Sequence, residues 1–214
     1  MVTLAEELYL LAGNGSTGRL LIDTARLDLG LGGALLLDLS LRGHVGLVDF
    51  HVVATVGPPT GEQLLDMALT SIVGETRHHT ADHWVRHLGR GAHRSVQDRL
   101  VEAGLLRRND DRLLGVIPVH RTHESDDRLH HRLQDQLDYA VVLGHPPSQE
   151  TAALASLALA VGLERQLFPR SDRYAVRRRM VEIADGGWAA AAVAGAVTVI
   201  DVALGLGPVA EPLP

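Results

Sequence analysis

"LGLGGALLLDLSLRGHVGL" spans residues 29–47, and its reading sets the fold class. Glycines open the stretch, a run of leucines follows, and Gly43 stands where such a run would stop. Leucine favours helix and glycine ends it, so a Leu-rich helix ending near Gly43 is expected. Beyond it, "HVGLVDFHVVATV" at 44–56 alternates as strands do. Upstream, residues 3–12 read as an amphipathic helix with Leu4, Leu8 and Leu11 at helical spacing. Thr3 caps it, and Glu6 completes a capping box. "GNGSTG" at 13–18 is a turn, and "RLLID" at 19–23 a short strand or extended segment.

Downstream, "GPPTG" at 57–61 leads into a helix over 60–73, with Thr60 as N-cap and Gln63 in its first turn. Helices over 80–88 and 92–103 come next, the second stopped by Gly104. "LLRRNDDRLLGVIPV" at 105–119 reads as a β-hairpin turning at Asn109-Asp110. A polar helix over 122–143 follows, then the short loop "HPPSQ" at 145–149. Helices over about 150–167, 171–185 and 187–204 complete the chain. The near-continuous apolar character of 151–167 and 187–204 marks them as central helices, buried all round. The expected fold is mainly α: a single helical domain over 1–208 with a central buried bundle, surrounding amphipathic helices and one β-hairpin. Residues 209–214 form a loose tail.

With 214 residues, 46% hydrophobic, the chain can bury a sizeable core, and its 3% aromatics leave Leu, Ala and Val to fill it. It has no cysteine, which excludes disulfides, thiolate metal sites and cysteine nucleophiles. The N-terminus carries acids where an export signal carries basic residues. The longest apolar run, "WAAAAVAGAVTVI" at 188–200, is shorter than the roughly 20 residues of a membrane-spanning helix. A cytoplasmic protein is therefore expected. Every basic residue is Arg, which with abundant Ala, Gly and Leu suggests a GC-rich bacterial source.

The charge is unevenly placed. The whole chain is −6, residues 1–75 alone hold three Arg against nine acids, and residues 86–112 hold seven Arg against four. A local basic patch on an acidic chain points to a specific anionic partner; its alternative is a solvated helix face with ordinary ion pairs.

Other constellations carry less chemistry. His79, His83 and His87 recur every four residues, but Thr80 caps the helix and leaves His79 outside it, and no HExxH pattern is present. Surface histidines are the default reading, and no metal or other cofactor is expected. There is no GxSxG elbow. "GNGSTG" has no Lys and is too short for a phosphate loop, and "GLGG" at 30–33 lacks a βαβ context. Glu6 and Glu7, as neighbours, point to different faces of a helix. Nothing argues for an enzyme. A helix ending "RLVEAGLL" before an Arg-rich hairpin also fits a winged helix, with Arg107, Arg108 and Arg112 on phosphates. The acidic overall charge argues against nucleic acid. The other reading is an anion pocket at a membrane surface, where a few of these arginines converge on a phosphate and Leu113 and Leu114 of the hairpin enter the headgroup layer. Packing of those leucines under the hairpin is the ordinary alternative.

The ordered segments "TLAEELYLL" (3–11), "GLGGALLLDLSLRGHVGL" (30–47), "PTGEQLLDMAL" (59–69), "HWVRHL" (83–88) and "RLVEAGLL" (99–106) resemble the bacterial branch of the Golgi phosphoprotein 3 family. The resemblance covers nearly the whole chain. It implies one mostly helical domain and a peripheral membrane or adaptor role. In eukaryotic members a phosphatidylinositol 4-phosphate headgroup is held by one Trp and three Arg, and the hairpin serves membrane insertion and self-association. The matching positions here are Asp23 for the Trp, then Gly32, Arg90 and His93, with Arg94 adjacent. The resemblance thus implies attachment to anionic phospholipid headgroups through a basic patch at Arg86, Arg90, His93 and Arg94, with little preference among phosphoinositides, a protein client, and self-association through the hairpin. A soluble protein–protein module is the further alternative.

Overall fold

The computed structural model describes residues 2–14, 18–55, 57–113, 117–124 and 127–184. The helix expected over 187–204 and the C-terminal tail lie outside the described residues, as does Leu114.

The chain begins with α1 (Leu4–Ala12), entered through the expected capping box. The Thr3 hydroxyl accepts from the Glu6 amide, and the Glu6 carboxylate accepts from the Thr3 amide at 2.8 Å. Almost every residue of α1 is buried, so it is a core helix and not a surface amphipathic one. A minimal strand pair, β1 (Gly13–Asn14) with β2 (Arg19–Leu20), turns the chain into α2 (Thr24–Leu41).

Helix α2 begins well before the leucine run, with Asp23 as N-cap accepting from the Arg26 amide at 2.9 Å. The glycines expected to precede the helix lie inside it. Each weakens a helix by about 1 kcal/mol relative to Ala. Tertiary packing overrides that propensity. A Cβ on Gly30 would lie 2.7 Å from Val161 Cγ1 and 3.0 Å from Leu8 Cδ2. One on Gly32 would overlap the Val85 carbonyl. Helix α2 ends at Arg42, whose guanidinium meets the buried Asp38 carboxylate at 2.6 Å. The other Asp38 oxygen accepts from the Leu4 amide at 3.0 Å, tying the start of α1 to the end of α2.

Antiparallel β3 (Val45–Val48) and β4 (His51–Ala54) follow, joined by a two-residue turn. Helix α3 (Gln63–Gly74) starts later than expected. Thr60 is not its N-cap: its hydroxyl and amide both donate to Asp66, at 2.8 and 2.7 Å, and Glu62 holds the cap position. Helices α4 (Ala81–Gly89) and α5 (Ala92–Glu102) lie where expected, and Gly104 closes α5 at φ +73°.

The Arg-rich hairpin is longer than expected. Strand β5 (Leu106–Leu113) pairs with β6 (Ile117–Glu124) in a ladder from Leu106↔Glu124 to Leu113↔Ile117. Asn109 and Asp110 are therefore not the turn; they stand in the ladder opposite Arg121 and His120. The polar helix α6 is correspondingly shorter, Arg128–Val141. The expected 150–167 helix is two, α7 (Gln149–Ala160) and α8 (Glu164–Leu167), broken at Gly162 with φ +75°. Helix α9 (Arg173–Ala184) is the last described element.

Among the described residues the buried centre is α1, α2 and α7, which all pack on one another. The outer helices bury one side each: α4 contributes Trp84 and Val85, α5 Val96 and Leu100, α6 Leu133 and Leu137. No described helix is long and apolar enough to cross a membrane.

Candidate functional site: the corner between two helices

The arginines at 86–94 gather where α4 hands over to α5. Helix α4 turns Trp84 and Val85 into the core, which leaves Arg86 and His87 on its outer side. Gly89 is buried because a Cβ there would lie 2.5 Å from the Asp28 carbonyl of α2. Arg90 ends the helix in extended backbone, and Gly91 turns the chain at φ +70°, a conformation that suits glycine. The Arg94 amide then bonds the Gly91 carbonyl at 3.0 Å as α5 begins. Arg90 and Arg94 are exposed on either side of this turn.

Two of the four expected contacts are altered by local partners. Arg86 Nη2 is 3.8 Å from Asp82 Oδ2, one helical turn away. The Asp82 carboxyl is held below the usual range, first by the Thr80 hydroxyl and then by Arg86. His93 turns inward. Its amide donates to Asp28 Oδ1 at 2.8 Å, and its ring Nδ1 meets the same oxygen at 2.8 Å. The first turn of α5, which favours negative charge, is thus supplied with a carboxylate from the chain itself. Asp28 was not anticipated from sequence. The signal lay in Gly32: Asp28 is one turn earlier on α2, on the face that meets α4.

The remaining positions are accounted for by the backbone. Asp23 caps α2, and its second oxygen is 3.3 Å from Arg26 Nε. Gly32 has no room for a side chain, because Val85 and Gly89 of α4 lie against it. Leu113 closes the β5–β6 ladder opposite Ile117, and Arg107 and Arg108 pair with His123 and Thr122 in the same ladder.

His79, His83 and His87 form a stack. Ring centroids are 3.9 Å apart for the first pair and 6.1 Å for the second, with planes within 10° of parallel. All three rings stand edge-on to Trp84, at 5.3 to 6.0 Å. Stacked rings do not converge on a point, and among the described residues no three His, Asp or Glu side chains are grouped so as to hold a metal ion. His83 is held below its ordinary pKa by burial, then by His79 and His87 on either side.

What the corner offers chemically is two exposed guanidiniums on a fixed turn, with two more basic groups behind them. Guanidinium binds phosphate by paired, charge-assisted hydrogen bonds. The family described as Golgi phosphoprotein 3 (GPP34) matches the chain over residues 4–200. No curated protein matches it.

Proposed function

Because the chain belongs to the Golgi phosphoprotein 3 family, we propose that it is a non-enzymatic peripheral membrane-binding or adaptor protein whose α4–α5 corner meets anionic phospholipid headgroups. One observation carries this reading: Arg90 and Arg94 are both exposed across the Gly91 turn, on backbone fixed by the close contact of α2 with α4. Arg86 adds charge beside them, while His93 is turned inward onto the Asp28 carboxylate. Selectivity among phosphoinositides is expected to be low, since Asp23 is a helix cap and Gly32 carries no side chain. The inner face of the membrane is the proposed place of action.

Each basic residue near an anionic surface contributes about 1 kcal/mol. Two or three give reversible attachment, weakened as salt rises. The test is co-sedimentation with vesicles of phosphatidylglycerol, phosphatidylcholine and phosphatidylinositol 4-phosphate, with Arg90→Ala/Arg94→Ala beside the parent. Binding to both anionic vesicles, lost in the double variant, is the expected result. Equal binding by parent and variant removes the corner as the lipid site. A DNA gel shift run alongside reads the nucleic-acid alternative, in which the arginines of β5 carry the contact.

A further inference from the structure

The turn between β3 and β4 breaks the rule that apolar side chains seek the core. Val48↔His51 is the last pair of the ladder, so Asp49 and Phe50 alone make the turn. Both have positive φ, 46° and 63°. Such two-residue turns ordinarily take Asn-Gly or Gly-Gly, because a bulky side chain is disfavoured there. This chain has few aromatics, yet it places Phe50 at that strained position, 82% exposed, with Val48 at 57% and Leu47 at 39% beside it. A side chain held in strain and in water points to a use outside the fold.

The surroundings identify what meets it. Next to the turn, His51 bridges to Thr80, and the Val52 amide bonds the His79 carbonyl at 2.8 Å. The hairpin is therefore fastened to the start of α4. From there His79, His83 and His87 lead along the outer side of α4 with Arg86, to Arg90 at its end. An apolar tip thus stands at one end of a row of histidines flanked by Arg86, with Arg90 and Arg94 at the other. Three side chains on one turn offer far less than the roughly 1,200 Å² that a stable protein interface buries. A bilayer needs no such area: a small apolar tip entering the headgroup layer plus basic groups above anionic lipid suffices for reversible attachment.

We infer that the β3–β4 turn, through Phe50 with Val48 and Leu47, is a membrane-penetrating finger that works with the α4–α5 corner on one anionic lipid surface. This rests on the lipid reading of that corner and adds a second attachment site to it. Asp49 at the apex and Asp82 on α4 are the carboxylates that oppose it, and they favour a shallow insertion.

Phe50→Gly is the informative variant, because glycine relieves the turn and keeps the fold at least as stable. Vesicles of phosphatidylglycerol and phosphatidylcholine at low salt are the probe. Affinity is expected to fall about tenfold or more, the usual scale for losing one large apolar contact, with an unchanged or higher melting temperature. The chain has no cysteine, so Phe50→Cys carries a single polarity-sensitive label, expected to shift to an apolar signal on vesicles. If Phe50→Gly binds as the parent does while Arg90→Ala/Arg94→Ala does not, the finger is overturned and the corner stands. If the parent itself does not bind, both are overturned. A label that stays water-like on bound protein, or a variant that changes only self-association, also overturns the finger.

Discussion

One oxygen of Asp28 serves two nitrogens of His93, the amide and ring Nδ1, each at 2.8 Å. The carboxylate only accepts, so Nδ1 carries the proton. Asp28 thereby fixes the first turn of α5 and cancels part of the charge that the corner would present. Asp28→Ala is expected to separate these two effects. Stability should fall by about 1–3 kcal/mol, the usual range for losing hydrogen bonds to a charged group. Affinity for phosphatidylglycerol vesicles should rise about fivefold, the equivalent of one charge near an anionic surface. Chemical denaturation and co-sedimentation of the same variant check both.

Gly32 predicts the opposite of ordinary helix propensity. On an isolated helix Gly→Ala stabilises. Here the added methyl meets the Val85 carbonyl and the Gly89 amide, which are backbone and cannot rotate away. Gly32→Ala should lose about 3 kcal/mol or more, at the upper end of overpacking costs. An unchanged denaturation midpoint contradicts the close crossing of α2 and α4.

Glu7 gives a pH signature. Burial, then the neighbouring Asp38, push its carboxyl up to about 7, with Arg132 pulling the other way and Glu150 and Glu6 adding to the rise. A raised carboxyl pKa favours the folded state while the group is protonated. Its contribution is full below about 4.5 and is lost as pH climbs through about 7. Glu7→Gln should flatten stability across that window. The expected gain at pH 8 is about 1–2 kcal/mol, less than the full shift implies because the side chain is partly open to water. Urea unfolding at pH 5 and pH 8 reads it.

The histidine stack gives a second signature, of the other sign. His83 resists protonation, so its contribution is present above the ordinary histidine pKa of 6.5 and falls away as pH drops through its lowered value. Burial is the main cause and His79 and His87 follow, so His79→Asn/His87→Asn should move the His83 titration partly back toward 6.5. Ring-proton NMR follows this directly. No movement would mean that burial alone sets it.

Local chemistry was legible in the sequence, and contacts between distant segments were not. The Thr3–Glu6 capping box and the Gly104 stop need only near neighbours. The start of α2 was misread because Gly30 and Gly32 look like breakers until Val161, Leu8, Val85 and Gly89 are beside them. Thr60 looked like a cap because its true partner, the Asp66 side chain in the first turn of α3, lies six residues on. Asn109-Asp110 has turn composition, yet the ladder runs past it. Asp49-Phe50 has no turn composition and is the turn. At the site, the Arg-rich stretch was visible in the sequence, and the family resemblance singled out Arg86, Arg90, His93 and Arg94 within it. The inward rotation of His93 depended on an acid in another helix.

The contact between Gly32 and Gly89 also bears on how the molecule assembles. It joins two helices with β3, β4 and α3 between them, so the chain must close a long loop before the two backbones meet. Closing a long loop is entropically unfavourable until other contacts are in place. The seam between α2 and α4 is thus expected to form after the rate-limiting barrier, with the α4–α5 corner completed last. Gly89→Ala should then speed unfolding and leave the refolding rate nearly unchanged, a pattern that stopped-flow kinetics in urea would show as a shift of the unfolding limb alone.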